Sequence, residues 1–139
     1  MKQETSLKIF KFIAWFIGIY HVILGLIGIF ASADLIGSVI NAVYHLTIVA
    51  DPRFLIAAHF ASSYMLALGI MMIFVAMKPR EYKVFVWAAI AMFAARLFDH
   101  LLYLGTIEQS FNSTLTGNLI TIISILVFGL GLFIFRPRD

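Results

Sequence analysis

Cysteine is absent from this chain. Its absence excludes disulfides, thiolate metal sites and cysteine nucleophiles. Charge is scarce as well. Asp, Glu, Lys and Arg make up 12% of the 139 residues, against about a quarter in a soluble domain. No serine stands in a recognisable nucleophile motif, and no glycine-rich loop suits a phosphate. The four histidines include no HxxxH or ExxH spacing, so the common helical metal motifs are missing too.

What the chain has instead is apolar surface. It is 63% hydrophobic with a mean hydropathy of +1.02. A chain this short cannot hide so much in its own core, so the bilayer must be the solvent for most of it. One integral membrane domain over residues 1–139 is expected. The pI near 9.4 suggests nucleic acid at first sight. The basic residues flank the hydrophobic runs, however, where they act as topology signals, and no nucleic-acid partner follows.

Four runs are long enough to span, at about residues 12–30, 54–77, 84–104 and 115–135. The first also resembles a signal peptide, because Ala31-Ser32-Ala33 looks like a cleavage site. Its apolar run of about 19 residues exceeds the usual ~7–15 residue signal core, and a true span is the better reading. Within it Ala14, Gly18, His21, Gly25, Gly28 and Ser32 recur at steps of four and three. Such a seam of small residues lets helix backbones approach closely in lipid. Similar seams are His59, Ser62, Leu66 and Gly69; then Ala89, Met92, Arg96, Asp99 and Tyr103; then Gly117, Thr121, Ser124, Phe128 and Gly131. Met65, Met71, Met72 and Met77 read as plastic packing rather than metal ligands.

Between the first two runs, residues 34–48 are too short to span. Leu35, Val39, Val43 and Leu46 make an apolar stripe, and Asp34, Ser38, Asn41 and His45 a polar one. The spacing predicts an amphipathic helix at the membrane surface. Asp51-Pro52 marks the start of the second span, and Asn112, Ser113 or Thr114 is expected to cap the last. Residues 105–113 read as a polar loop. The fold class is therefore an all-α membrane protein, a four-transmembrane-helix bundle with one extra short helix.

Lys2, Lys8, Lys11, Lys78, Arg80, Lys83, Arg136 and Arg138 fall on one side of this arrangement, eight of the ten basic residues. The positive-inside bias puts both termini in the cytoplasm of a multi-pass cell-membrane protein. The Glu108 segment then faces outward.

Arg96, Asp99 and His100 stand out within the third span. Ionisable groups are costly there unless they face a protein interior, a cavity or a partner. Their spacings of three and four put all three on roughly one helix face. Counting ~1.5 Å per residue from the outer ends, His59, Asp99 and His100 lie roughly 6–8 Å deep and Arg96 and His21 roughly 12–14 Å. Asn118 and Tyr103 belong to the same half, and the inner half has almost no polar group. A ligand-binding set of His21, His59, Arg96, Asp99, His100, Tyr103 and Asn118 follows. Arg offers a fixed fork of donors to a carbonyl, carboxylate or phosphate, and Tyr20, Tyr64, Phe98 and Tyr103 can wall a flat apolar molecule. A small amphiphile such as a quinone suits this chemistry, with the amphipathic segment across the mouth. Three other readings compete. Arg96 and Asp99 can neutralise each other in a closed structural network, as in an accessory subunit of a larger membrane complex or a homo-oligomer. His21 and His59, with His100, can ligate haem or a metal. A general acid–base pair of Asp99 with a histidine is conceivable but has no supporting motif.

The run Asp51-Pro52-Arg53-Phe54 through Leu66-Ala67-Leu68-Gly69, then Pro79-Arg80-Glu81-Tyr82-Lys83, with Arg96 in the next helix, resembles the DoxX-like superfamily of small bacterial membrane proteins. The resemblance covers about half the chain. It implies a four-helix membrane fold and a quinone-linked or accessory role. It assigns nothing to His21, His59, Asp99 or His100, whose roles rest on the physical reading alone.

Overall fold

A computed structural model of the chain describes residues 3–48 and 51–137. Lys2 and Arg138, two of the basic residues counted above, lie outside them. The described residues form six helices and no strand: α1 (Gln3–Phe30), α2 (Ala33–Tyr44), α3 (Pro52–Met77), α4 (Lys83–Leu102), α5 (Leu104–Phe111) and α6 (Leu115–Phe135). The fold is an all-α bundle. α1, α3, α4 and α6 are each long and apolar enough to cross a membrane, which fits a multi-pass membrane protein.

The ends of the helices follow from local chemistry. α1 starts well before its apolar run, because Gln3 to Lys11 is helix-compatible and Lys8 pairs with Glu4 one turn back at 2.8 Å. Its 28 residues extend about 42 Å at 1.5 Å per residue, so the polar first turns project beyond a ~30 Å hydrocarbon layer. Ser32 caps α2 by accepting from the Leu35 N–H. Asp51 caps α3 by accepting from Arg53 N–H at 2.7 Å, with Pro52 in the first turn. Thr114 is the cap of α6, accepting from Gly117 N–H at 3.1 Å. Between α3 and α4, Lys78 and Glu81 close a tight turn at 2.9 Å, and the hydrogen bond from Lys78 to Glu81 raises the lysine above its ordinary range.

Two expectations change. Residues expected as a polar loop form α5, because the chain breaks only at Tyr103 and resumes helical bonding with Ile107 N–H donating to the Tyr103 carbonyl. α2 ends at Tyr44, where His45 takes a left-handed conformation with φ 54°. Leu46 therefore leaves the helix. The apolar face of α2 is Ile36, Val39, Ile40 and Val43, while Leu35 points outward.

The tightest contact is antiparallel, α1 on α3. A Cβ on Gly25 would sit 2.7 Å from the Leu66 nitrogen, and one on Gly69 would sit 2.6 Å from the Val22 nitrogen. Gly28 faces Ser62 just as closely. α6 runs antiparallel to both α1 and α4. Gly131 meets Ile13, Phe128 meets Phe16, and Trp87 meets Phe133. The start of α1, the α3–α4 turn and the end of α6 therefore share one end of the bundle. That end is densely packed by Phe10, Ala14, Ile17, Met72, Val75, Val86, Phe93 and Leu132, among others. Large apolar side chains such as Phe12, Phe30, Tyr64 and Val84 cover the outside, as expected of surface that faces lipid.

Replacing Gly25 or Gly69 by alanine forces backbone against backbone. Each should lower stability by about 1–3 kcal/mol, the usual cost of overpacking. Gly37 has nothing within 4 Å of an added Cβ, so Gly37→Ala on α2 should be neutral or stabilising by up to ~1 kcal/mol. Thermal unfolding in detergent, read by intrinsic fluorescence, checks both. A melting temperature for Gly25→Ala equal to wild type would contradict this packing.

Candidate functional site

The bundle is not packed evenly. Opposite the dense end, α1, α3, α4 and α6 diverge around a cavity of about 520 Å³. Its walls are Leu24, Ile27 and Gly28 of α1, Phe54 to Met65 on one face of α3, and Thr121 of α6. α2 covers it with Ile36, Val39, Ile40 and Tyr44, and α5 adds Ile107 and Phe111. Arg96 and His100 of α4 bring charge and imidazole to this otherwise apolar wall. The cover is tied down. Thr47 N–H donates to the Phe111 carbonyl at 2.9 Å, and the His45 side chain packs on Gly117.

Asn118 is 2% exposed and holds the α5 side of the site. Its amide N–H donates to Glu108 at 3.1 Å, and its oxygen accepts from the Ser113 hydroxyl at 2.9 Å. Both ends of the side chain are used, so Asn118 anchors α5 and its following loop. Ser62 and Thr121 also line the cavity, but their hydroxyls donate to the Ala58 and Gly117 carbonyls of their own helices.

Arg96 is different. Its guanidinium stacks over the Tyr44 ring at 5.3 Å, a cation–π contact. It forms no hydrogen bond or ion pair with the described residues. The Arg96–Asp99 ion pair of the competing structural reading does not form among the described residues. His100 Nε2 and the Tyr44 hydroxyl make no well-aligned hydrogen bond, although the Asn118 side chain stands beside the first and the Tyr20 hydroxyl beside the second. A cation without an ion pair beside a cavity needs an explanation, since such groups inside a membrane bundle ordinarily meet a partner.

A second cavity of about 50 Å³ adjoins the first. Tyr44, Arg96 and Thr121 line both. Tyr20, His21, Phe93, Ser124 and Phe128 complete its wall. His21 and Arg96 therefore lie at one level, as the depth count predicts.

Of the seven residues read from sequence, His21, Arg96, His100 and Asn118 converge on this region. His59, Asp99 and Tyr103 do not: all three are exposed. The reason is rotation. At about 100° per residue, Val86, Ala89, Phe93, Arg96 and His100 cluster on one face of α4, with Asp99 and Tyr103 roughly 100° and 60° from its centre. His59 points away from the α3 face that carries Ala57, Ala58 and Ala61 into the cavity. It also lies ten residues from Gly69, the level at which α1 packs beside His21. That is about 15 Å along α3, too far for His21 and His59 to share a metal or haem iron. Among the described residues no three His, Asp or Glu side chains gather to hold a metal ion. Tyr64 and Phe98, expected as aromatic walls, are 77% and 69% exposed.

Tyr44 was missed by the sequence reading, although it follows Ile36 and Ile40 at steps of four, which is the stripe that faces the cavity. Comparison with family models, with curated proteins and with solved structures found no match to the chain.

Because Asp99 faces outward and does not neutralise Arg96, Asp99→Asn should shift stability by less than ~0.5 kcal/mol, as for surface substitutions generally. Asn118→Ala strands Glu108 and Ser113 and should cost about 1–3 kcal/mol. The two melting curves, recorded side by side, test this division.

Proposed function

We propose that this protein binds a small amphiphile in the larger cavity, with the polar head at Arg96 and His100 and the apolar body between α2 and α3. The observation that carries the reading is an arginine with no carboxylate partner among the described residues, at the wall of a largely apolar chamber. The chamber volume of about 520 Å³ suits a small organic molecule, for which pockets of about 300–1,000 Å³ are usual. A fork of N–H donors selects an acceptor: a carbonyl, carboxylate or phosphate. A quinone carbonyl meets that requirement, and the resemblance to the DoxX-like superfamily favours the same class. α2 and α5 act as the cover through which the ligand enters. The positive-inside bias places the termini in the cytoplasm and the cavity in the outer half of a cell membrane.

A second reading rests on a separate observation. Asp99 and His59 lie on the outer surface of membrane-spanning helices, where ionisable groups ordinarily meet a partner. They favour an accessory role beside another membrane protein or a second copy of this chain.

Native mass spectrometry of the protein extracted from membranes should show a co-purifying small molecule or lipid. Arg96→Met, which keeps volume and removes the donors, should reduce its occupancy at least tenfold, while Asp99→Asn should retain it. An empty wild-type protein, with Arg96→Met altering only thermal stability, would falsify the ligand reading. For orientation, a cysteine placed at Glu108 should react with an impermeant thiol reagent from outside intact cells.

A further inference from the structure

The smaller cavity carries information that the amphiphile reading does not use. His21 is 2% exposed, and its Nδ1 lies 2.8 Å from the Ile17 carbonyl. A carbonyl only accepts, so Nδ1 must carry the proton. In the neutral ring Nε2 is then an acceptor with its lone pair free, and it is buried without a partner. The ring cannot easily swing away, because it is wedged edge-on between Tyr20 at 5.2 Å and Phe93 at 6.2 Å. Across the same small chamber is Tyr44, whose hydroxyl stands beside that of Tyr20.

Size limits what can enter. About 50 Å³ is roughly a tenth of the larger chamber's volume and several times the ~10–15 Å³ that one water needs. The small chamber suits the polar tip of a head group rather than its apolar body. Tyr44, Arg96 and Thr121 form the boundary shared with the larger cavity, so a head group held by Arg96 stands at the entrance to the small one.

We propose that the small chamber is a hydroxyl-recognition subsite, in which a ligand O–H donates to His21 Nε2 beside the Tyr44 hydroxyl. The inference rests on the amphiphile reading and narrows it. The preferred ligand carries a hydroxyl donor on its head as well as an acceptor for Arg96. Such a molecule is a hydroxyl-bearing amphiphile, for which a long-chain phenol is the simplest probe.

The test compares 4-dodecylphenol with its methyl ether, which keeps the chain, ring and oxygen but lacks the donor. Dissociation constants are measured by microscale thermophoresis on the full chain in nanodiscs, for wild type and His21→Phe. One net hydrogen bond gives roughly a fivefold to tenfold preference for the phenol in wild type, which should collapse to about onefold in His21→Phe. Tyr44→Phe, which deletes a single oxygen, should also shrink the preference and serves if His21→Phe fails to fold. Equal binding of both probes by wild type would overturn the subsite, as expected of a chamber that holds only water, and would leave the amphiphile reading standing. Binding of neither probe would overturn the subsite, while the co-purifying ligand in native mass spectrometry decides the amphiphile reading separately. A preference that persists undiminished in both variants would place the hydroxyl elsewhere and overturn the subsite.

Discussion

The close approach of α1 to α3 is the contact on which the rest depends. Hydrophobic collapse does not hold helices together in lipid, because the surrounding tails are as apolar as the side chains. Packing must do it, and packing at short range needs side chains that are absent. Gly18, Gly25, Gly28 and Gly69 supply that absence along one seam. The two longest helices are thereby joined along most of their length. α4 and α6 then add their own antiparallel contact, and α6 leans on α1 through Ile13 and Phe16. The dense half of the bundle is a consequence of that arrangement.

The cavity is the other consequence. α3 follows α1 so closely that α4 and α6 meet them well only at the opposite end, where Phe10, Ile17, Met72, Val86, Phe93 and Leu132 interdigitate. Toward the connection between α1 and α3 the remaining space is filled by short elements rather than by a fifth span. α2 and α5 are held by a few directional bonds: Thr47 to Phe111, and Asn118 to Glu108 and Ser113. Elements held this way open at lower cost than those buried in a core. The same half of the bundle contains Arg96 without an ion pair among the described residues and His21 Nε2 buried without a partner. Unpaired polarity and a lightly tied cover occur together in this half of the bundle.

The polar residues of α4 show why sequence spacing alone was insufficient. Steps of three and four both keep residues on one broad face, yet they depart from it in opposite directions. Arg96 to His100 rotates about +40°, whereas Arg96 to Asp99 rotates about −60°. A difference of about 100° separates a side chain in the cavity from one on the outside. Only the neighbours decide which edge of the face is turned inward, and here Phe93 and Ala89 set the rotation by packing into the dense half. The same reasoning explains His59, which shares a broad face with Ser62 but falls on the wrong edge of it.

What the sequence determined by itself is what depends on one-dimensional properties. Hydropathy and length specify the four spans. Asp51, Pro52 and Thr114 mark helix starts through bonds to residues two or three positions away. The glycine seams declare where backbones approach, and the confinement of polar residues to one half follows from counting along the helices. The tertiary structure alone decided the rest. It set the rotation of α4 that admits Arg96 and His100 and excludes Asp99. It recruited Tyr44, because α2 ends at a left-handed His45 seated on Gly117. It also left His21 Nε2 facing no partner. These are relations between side chains far apart in the chain, set by how four cylinders share a fixed volume, and no local pattern encodes that division of space.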